Sequence, residues 1–282
     1  CPAIEAGTHV RGVGEDCEQD ARVLEAGVTL RPAALGLLAA LGFERAPVSA
    51  RPTVAVFTTG DELRPAGASL RPGEIHDSNR VLLQSLLAEE GIDTLSWPAL
   101  PDDPDRLVAA IDDASRAYDL IITCGGVSAG EKDHLPALLD QHGRIHFWKV
   151  MMRPGMPVLF GSWGGALVLG LPGNPVSVLA TFRRLAVPLL DTLQGRGDRA
   201  ASLRARLSRE VHKNHARLEF RRGLLRCRED GMLEVSAHPA SGSHQQRGAA
   251  DSNALIVMPA ESRELEVGTI VDVEPYGAIL RA

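Results

Sequence analysis

Acidic residues follow two apolar segments of this chain, each within a loop that also carries glycine. Residues 53–58 run into Thr59-Gly-Asp-Glu-Leu63, and residues 119–124 run into residues 125–133, Gly-Gly-Val-Ser-Ala-Gly-Glu-Lys-Asp. If both segments are strands of an open α/β sheet, their loops lie at the edge where ligands bind. Glycine lets the backbone approach a phosphate, but carboxylates repel that phosphate unless a divalent cation lies between them. The pattern indicates a magnesium-assisted site for a phosphorylated small molecule, whereas either loop alone is more simply a turn with solvated acids.

Five carboxylates at loop positions are candidate metal ligands. They are Asp61, Glu62, Asp103, Glu131 and Asp133. Magnesium needs only one or two carboxylates, because water and phosphate complete its octahedron. Helix capping alone explains Asp103, which precedes Pro104, and turn chemistry explains Asp61. Glu62 and Asp133 lie beyond the glycine turns and are the stronger candidates.

Two cationic residues and one rigid turn are candidates for binding an anion. Lys149 ends an apolar segment, and Arg153-Pro-Gly-Met-Pro157 follows it. Cations beside such a turn can neutralise an oxyanion, although an edge-strand lysine and an exposed arginine are the simpler alternative. Pro172-Gly-Asn-Pro175 has two prolines that fix φ on either side of a glycine, and a helix N-terminus follows. This turn predicts a cradle for an anion or a carboxylate.

The histidines are weaker candidates. His212 and His215 have the spacing of a metal-binding pair on one helix face, but they lie in a segment that we predict to be β. His244 lies in a loop rich in glycine and serine and could reach a ligand, although solvent exposure is the simpler explanation. We therefore assign no metal to the histidines.

The elements that would position these residues alternate between strand and helix over residues 53–195. Strands are predicted at residues 53–58, 94–97, 119–124, 145–150, 158–161 and 166–171, and helices begin near residues 78, 104, 135 and 175. This alternation predicts an α/β fold, a largely parallel sheet with helices on both faces. From about residue 203 the apolar period becomes two, which predicts a small all-β C-terminal domain.

Three regions follow from these patterns. Residues 1–50 contain a predicted strand and a helix from Pro32 and are expected to be the remnant of an N-terminal domain. Residues 51–197 form the α/β domain and residues 198–282 the C-terminal β domain. The helix should end at Gly42, because glycine favours the position after a helix.

Composition excludes several classes of function. The chain has 282 residues, 44% of them apolar, and a formal net charge of −6, which leaves no basic surface for nucleic acid. No segment has the length and apolar character of a membrane span or a signal peptide. The four cysteines, Cys1, Cys17, Cys124 and Cys227, are scattered without the spacing of a zinc site. This usage predicts a reducing, cytoplasmic location.

Eight motifs occur here in the same order as in the molybdopterin molybdotransferases. They are Thr59-Gly-Asp-Glu-Leu63, Asp77-Ser-Asn79, Asp102-Asp-Pro104, residues 125–133, Phe147-Trp-Lys149, Arg153-Pro-Gly155, residues 171–177 and Gly242-Ser-His244. From about Gly14 to Tyr276 the chain resembles the bacterial MoeA proteins and the E domain of gephyrin and its plant homologues. The order of the motifs makes the resemblance specific, whereas any one of them would be weak.

The resemblance implies an enzyme that inserts molybdenum from molybdate into adenylylated molybdopterin, with magnesium, and releases AMP and molybdenum cofactor. It implies that Glu62, Asp103, Asp133 and Lys149 are catalytic, together with Arg153 at a position that is usually lysine, and that the three carboxylates bind the metal. The implied substrate-binding residues are Gly60, Asp61, Gly125, Gly126, Ser128, Gly130, Pro172, Gly173, Asn174, Pro175 and Ser243. A homodimer and an upstream molybdopterin adenylyltransferase are the implied partners.

The chain departs from the family in two respects. The family often reads Lys-Pro-Gly-Lys-Pro where this chain has Arg153-Pro-Gly-Met-Pro157, so the positive charge is absent at Met156. Family members also carry well over a hundred residues before Gly14, including an inserted domain that closes over the partner's active site. We expect this chain to be a fragment truncated at the N-terminus, able to fold but with little activity, because a closing domain contributes to catalysis.

Two alternatives remain open. A non-catalytic scaffold of the gephyrin type would bind peptides through its β domain, but it would not need Asp133 and Lys149. A molybdopterin adenylyltransferase-like domain would carry Gly-Gly-Thr-Gly where this chain has Gly125-Gly-Val-Ser128. Both differences favour metal insertion.

Overall fold

The computed structural model describes residues 5–197 and 202–281. Cys1 and residue 198, the predicted start of the C-terminal domain, lie outside these ranges. The described residues form two compact units, one of residues 5–49 and 195–197 and the other of residues 50–194 and 202–281. No helix within the described ranges combines the length and the apolar character that a membrane crossing requires.

The first unit contains a single regular element among its described residues, helix α1 (Pro32–Ala40). Pro32 occupies the first helical turn, where its missing N–H costs nothing, and Gly42 follows the helix with φ +86°. The predicted helix is therefore confirmed. The strand expected within residues 1–50 does not form between residues 5 and 49, because the backbone there finds no partner strand. The carbonyl of Gly27 instead accepts a hydrogen bond from the N–H of Gly197 (2.9 Å).

The first part of the second unit alternates strands and helices as expected. In chain order its elements are β1 (Val54–Thr58), β2 (Leu63–Arg64), β3 (Ile75–His76), α2 (Ser78–Glu89), β4 (Thr94–Ser96), α3 (Pro104–Ser115), β5 (Leu120–Cys124), α4 (Leu135–His142), β6 (Arg144–Trp148), β7 (Met152–Arg153), β8 (Leu159–Trp163), β9 (Ala166–Leu171), α5 (Pro175–Thr181) and α6 (Val187–Leu193). The main sheet has the strand order β4-β1-β5-β9-β8-β6. All neighbouring pairs from β4 to β9 are parallel, and β8 is antiparallel to both β9 and β6.

Helices cover both faces of this sheet. Val54 and Val56 of β1 face a core formed with α2, α5 and α6, while Ala55 and Phe57 face a second core formed with α3 and α4. Strands buried on both faces are apolar throughout, which explains the continuous apolar runs of β1 and β5. The predicted fold class, a largely parallel sheet between two helical layers, is confirmed.

The helix predicted from residue 175 is interrupted near its middle. A π-helical turn at residues 182–186 separates α5 from α6. In a continuous α-helix the N–H of residue 188 would bind the carbonyl of residue 184, but residue 188 is Pro188 and has no N–H. The N–H of Val187 instead reaches back to the carbonyl of Phe182. The wider turn lets the helix continue past the proline.

The second part of this unit is a β-barrel with one short helix. Its elements are β10 (Leu203–Leu207), β11 (Val211–His212), β12 (Leu218–Cys227), β13 (Leu233–Ala237), α7 (Gln246–Ala250), β14 (Ala254–Met258), β15 (Glu264–Leu265), β16 (Ile270–Pro275) and β17 (Leu280–Arg281). The sheet order is β13-β10-β16-β14-β12, and β12 also pairs with β13, which closes the ring. Closure leaves no free edge between these strands.

The barrel confirms the predicted C-terminal β domain, and it has two features that the sequence did not indicate. Helix α7 lies between β13 and β14. Strand β7, from the preceding α/β segment, pairs in parallel with β12, with Met152 opposite Leu218 and Arg153 opposite Glu219. The two segments share this sheet because β12 extends beyond its barrel partners, and its exposed backbone groups there require hydrogen bonds.

A buried asparagine ties β12 to the residues after β16. The side-chain oxygen of Asn253 accepts a hydrogen bond from the N–H of Leu225 (2.6 Å). Its amide nitrogen donates to the carbonyls of Leu225 (2.9 Å) and Ala278 (2.8 Å). Asn253 is only 7% exposed, so water cannot replace these partners.

Replacing this side chain should destabilise the protein. We expect Asn253→Ala to lower the free energy of unfolding by about 2–3 kcal/mol, because unpaired buried backbone groups cost about 1–3 kcal/mol each. Urea denaturation measures the change. Asn214→Ala is the control at an exposed residue and should change stability by less than about 0.5 kcal/mol. Equal effects of the two substitutions would show that the hydrogen bonds of Asn253 are not stabilising.

Candidate functional site

A cleft of the second unit lies at the carboxyl ends of β1, β5 and β9, and it has two lobes. The acidic lobe has a volume of about 580 Å³ and is lined by the loops after β1 and β5 and by the loops before α2, α3 and α5. The arginine lobe, of about 590 Å³, lies between residues 153–157 and the barrel. Asn174 and His244 line both lobes. The cleft thus joins a carboxylate-lined space to an arginine-lined one.

Glycines bring the two loops of the acidic lobe close together. Gly125 has φ +98° and Gly126 has φ +68°, both in the left-handed region that glycine adopts readily. A Cβ atom on Gly125 would lie 2.7 Å from Oγ1 of Thr59 and 2.8 Å from its carbonyl oxygen. The loop after β5 therefore packs against the loop after β1 with no room for a side chain. This contact brings both loops to one edge of the sheet.

Glu62 and Asp133 both line the acidic lobe, as expected from sequence. The Glu62 carboxylate folds back over Gly60, where a Cβ atom would lie 2.8 Å from either carboxylate oxygen. The Asp133 carboxylate accepts a hydrogen bond from the N–H of Gly130 (2.8 Å), which closes the turn after β5. Glu131 is exposed and is not among the residues that line either lobe. Gly60 and Gly130 therefore shape the loops that carry the two acids.

Asp102, rather than its neighbour Asp103, contributes the third carboxylate. The Asp103 carboxylate accepts hydrogen bonds from the N–H groups of Asp105 (3.0 Å) and Arg106 (3.2 Å), so it caps α3. Asp102 lines the acidic lobe and its side chain is 11% exposed. Of the two neighbouring acids, Asp102 is therefore the one whose carboxylate lines the lobe, whereas the predicted metal ligand Asp103 lies at the start of α3 as its cap. The capping role that the Asp-Asp-Pro pattern predicts belongs to the residue before Pro104.

A lysine partly neutralises this cluster of acids. The Lys132 ammonium lies 3.3 Å from the carboxylate of Asp61 and 3.8 Å from that of Asp102. Burial and the negative charges of Asp61 and Glu62 hold the pKa of Asp102 above its ordinary value. The backbone N–H of Asp102 and the Lys132 ammonium hold the pKa of Asp61 below its ordinary value. The predicted substrate-binding residue Asp61 thus lies outside the lobe, where its carboxylate accepts a hydrogen bond from the N–H of Asp102 (3.2 Å).

The turn at residues 172–175 forms the boundary between the lobes. The Asn79 side chain donates a hydrogen bond to the carbonyl of Gly173 (2.6 Å). The N–H of Val176, in the first turn of α5, donates to the carbonyl of Ser243 (3.1 Å). Part of the predicted N-terminal anion cradle is therefore filled by the barrel's own loop. The turn positions Asn174 between the two lobes.

Four arginines line the arginine lobe: Arg153, Arg217, Arg221 and Arg222. Arg222 is 3% exposed, and its guanidinium donates to the carbonyls of Ala240, Gly242 (3.1 Å) and Gln245 (2.7 Å). It thereby fixes the loop that carries His244 and Ser243, the predicted substrate-binding serine. Sequence reasoning missed Arg222, although it occupies the same face of β12 as the buried Phe220.

The predicted cations lie apart from the acids. Arg153 lines the arginine lobe together with Ser128 and Pro172. Lys149 is not among the residues that line either lobe, and its ammonium lies 4.1 Å from the centre of the Trp148 ring. The Trp148 indole donates to the carbonyl of Val127 (2.9 Å), next to Ser128. Lys149 therefore packs on a residue that lies outside both lobes and is hydrogen-bonded to the neighbour of Ser128.

The three histidines have different environments. His212 is exposed, with Glu210 (3.5 Å) and Glu264 (3.7 Å) nearby. His215 lies 3.1 Å from the Glu219 carboxylate, and burial, together with the charge of Arg153, lowers its pKa. The two do not form a metal-binding pair. His244 lines both lobes, so it can reach a ligand in the cleft.

An α/β sheet with carboxylates and glycine loops at its carboxyl edge, joined to a barrel that supplies arginines, has charges and backbone geometry that can accommodate a phosphorylated ligand. Comparison with known families identifies the class of protein. Residues 55–192 match the family described as a probable molybdopterin binding domain, and residues 204–276 match the MoeA C-terminal region, domain IV. The chain belongs to the MoeA family of molybdopterin molybdenumtransferases. The resemblance predicted from the motifs is confirmed.

Individual relatives show how much of the family's length is present. A molybdopterin molybdenumtransferase of Haemophilus influenzae is 37% identical over 274 residues, which cover 96% of this chain and 68% of that protein. A Bacillus subtilis relative with the same name is 31% identical, with 63% of its length covered. The gephyrin of Dictyostelium discoideum is 30% identical, with 43% of its length covered. The chain thus spans about two thirds or less of these relatives.

The solved structures give the same result. The crystal structure of the molybdopterin biosynthesis MoeA protein from Pyrococcus horikoshii superposes with a TM-score of 0.77 and 28% identity. The match covers 94% of this chain and 64% of the Pyrococcus chain. Nearly all of this chain therefore has the fold of the corresponding two thirds or so of that MoeA protein.

The close approach of the two glycine loops can be tested by substitution. Gly125→Ala should destabilise the protein by more than the roughly 1–3 kcal/mol of a left-handed backbone alone, because the added methyl also collides with Thr59. Gly67→Ala is the control, since Gly67 has φ +86° and open space around it. Chemical denaturation compares the two. An equal loss of unfolding free energy in the two variants would show that the two loops can move apart without destabilising the protein.

Proposed function

We propose that this chain carries the site for molybdenum insertion. Adenylylated molybdopterin and molybdate are its substrates, magnesium is its cofactor, and AMP and molybdenum cofactor are its products. The observation that carries the proposal is the two-lobed cleft, in which an acidic lobe and an arginine lobe meet at Asn174 and His244. A substrate that carries a bridging pyrophosphate and accepts an oxyanion needs both kinds of lobe.

The acidic lobe fits a divalent cation. Glu62, Asp102 and Asp133 supply only oxygen donors, which magnesium prefers, and all three line the same space. Burial, together with the negative charges of Asp61 and Glu62, raises the pKa of Asp102, and a bound cation would stabilise its carboxylate. When bound, magnesium supplies positive charge for the pyrophosphate oxygens. The three carboxylates would hold it, and one of them would orient the water that cleaves the pyrophosphate.

The glycine loops suit the phosphate groups of the nucleotide. Gly125, Gly126 and Gly173 line the acidic lobe, where the backbone can approach a phosphate closely. Across the boundary, Arg153 is the oxyanion-binding cation, because guanidinium keeps its charge and offers paired donors. Ser128 and Ser243 offer hydroxyl groups in the same lobe. Lys149, whose ammonium packs over the Trp148 ring, remains a predicted catalytic residue.

The other predicted properties belong to the same proposal. We expect a homodimer, an upstream molybdopterin adenylyltransferase that supplies the adenylylated substrate, and a cytoplasmic location. A gephyrin-like scaffold is the alternative that the Dictyostelium relative represents. The presence of carboxylates in one lobe and arginines in the other favours catalysis, because peptide binding by a scaffold does not require a cleft with both charges.

A single-turnover assay tests the function. The chain in excess over adenylylated molybdopterin should release AMP only when both magnesium and molybdate are present. Asp133→Asn should abolish the release, because it removes a carboxylate charge from the acidic lobe while keeping the size of the side chain. Excess enzyme makes even slow turnover visible. AMP release that is independent of Asp133 would contradict the proposed site.

A pair of neighbouring substitutions tests the metal ligands. Asp102→Asn should weaken Mn²⁺ binding, followed by electron paramagnetic resonance, by about tenfold or more, as for other changes around metal sites. Asp103→Asn is the matched control and should change little, because asparagine also caps helices well. Weaker metal binding in Asp103→Asn alone would restore the assignment based on sequence.

A further inference from the structure

The four arginines of the arginine lobe differ in what their guanidinium groups bind. Arg222 is bound to three carbonyls of the loop at residues 240–245. Arg221 donates to the carboxylate of Glu219 (2.9 Å) and to the carbonyl of His212 (2.9 Å). The Glu219 carboxylate neutralises the charge of Arg221, and three hydrogen bonds hold the Arg222 guanidinium to the loop, so these two side chains are less free to turn towards a ligand.

Arg153 and Arg217 remain available. In the part of the chain that the structure describes, neither guanidinium has a carboxylate within ion-pair distance. Arg153 is opposite Glu219 in the β7–β12 pairing, but Arg221 and His215 already surround that carboxylate. The two available guanidiniums thus line the same lobe.

The backbone of Arg217 is held from both sides. Its N–H donates to Nδ1 of His215 (3.3 Å), and its carbonyl accepts from the Lys213 ammonium (2.7 Å). Lys213 is buried and also donates to the carbonyls of Met258 and Pro259. Arg217 is therefore presented to the lobe from a fixed position, which lowers the entropy lost on binding a ligand.

Arg217 also lies beside Met156, the position at which this chain has no positive charge. One of its terminal nitrogens lies 3.8 Å from the sulfur of Met156, which lines the same lobe. A cation at position 156 and a cation at position 217 would therefore serve the same part of the lobe. The methionine supplies no charge there, and Arg217 does.

We propose that Arg217 is the second cation of the oxyanion subsite and that it pairs with Arg153 to bind a tetrahedral dianion, molybdate. Two guanidiniums neutralise a dianion and can each donate two hydrogen bonds to it. This inference deepens the proposed function and rests on it for the identity of the oxyanion. It assigns to Arg217 the charge that Met156 cannot provide.

Calorimetric titration of the whole chain with molybdate alone tests the assignment. Arg217→Met should weaken molybdate binding about tenfold or more, the usual effect of losing hydrogen bonds from a charged donor. Arg226→Met is the matched control, because Arg226 lies on β12, is exposed and does not line the lobe. Thermal unfolding should show both variants folded. An unchanged affinity in Arg217→Met, or an equal loss in both variants, would overturn the inference.

An exchange of the two neighbouring side chains separates charge from shape. The double variant Met156→Arg with Arg217→Met keeps both residue types in the lobe and should bind molybdate within about threefold of the unsubstituted chain. A loss that the exchange does not restore would show that Arg217 does not act through its charge, and the proposal would fail.

Outcomes for this subsite and for the proposed reaction are distinguishable. If the unsubstituted chain does not bind molybdate, the inference fails whatever the AMP assay shows. If molybdate binds and depends on Arg217 but AMP is not released, the subsite stands and the proposed reaction fails.

Discussion

The parallel pairing of β7 with β12 is the interaction on which the cleft depends. Met152 and Arg153 are extended beside Leu218 and Glu219, so a short strand from the α/β segment joins the sheet of the barrel. The pairing places Arg153 in one lobe with residues of β12. Without it, residues 153–157 would have no fixed relation to the barrel, and the arginine lobe would have one wall only. A pairing of this kind satisfies backbone groups that no other strand reaches.

A buried arginine of the barrel also helps to connect the barrel to the α/β segment. Arg222 donates hydrogen bonds to three carbonyls of the loop at residues 240–245. In the same loop, the carbonyl of Ser243 accepts a hydrogen bond from the N–H of Val176. Burying a guanidinium is costly unless its donors are satisfied, and here carbonyls satisfy them. The loop then supplies His244 to both lobes. The acidic lobe therefore owes part of its wall to the barrel, which explains why sequence segments far apart form one cleft.

Sequence predicts those parts of the structure whose causes are local. The apolar runs of β1 and β5 and the Asp-Asp-Pro start of α3 are short-range signals, and the structure confirms them. Strand β7 is too short to show any periodicity, so its pairing was beyond such reasoning. The choice between Asp102 and Asp103 was within reach, because the acid directly before Pro104 is the one that caps. The burial of Arg222 also had a signal, since it shares a strand face with Phe220.

The arrangement of charge explains why the lobes are separate. Asp102 has a raised pKa because burial and neighbouring acids disfavour its charge, and Lys132 offsets this only from the exposed side. A phosphate alone would be repelled from the acidic lobe, and a cation alone would gain nothing in the arginine lobe. A ligand that brings a metal-bound phosphate to one lobe and an oxyanion to the other satisfies both. With a net charge of −6, the protein as a whole repels anions, so the attraction must be local. Asn174 and His244, which line both lobes, lie where the two parts of such a ligand would meet.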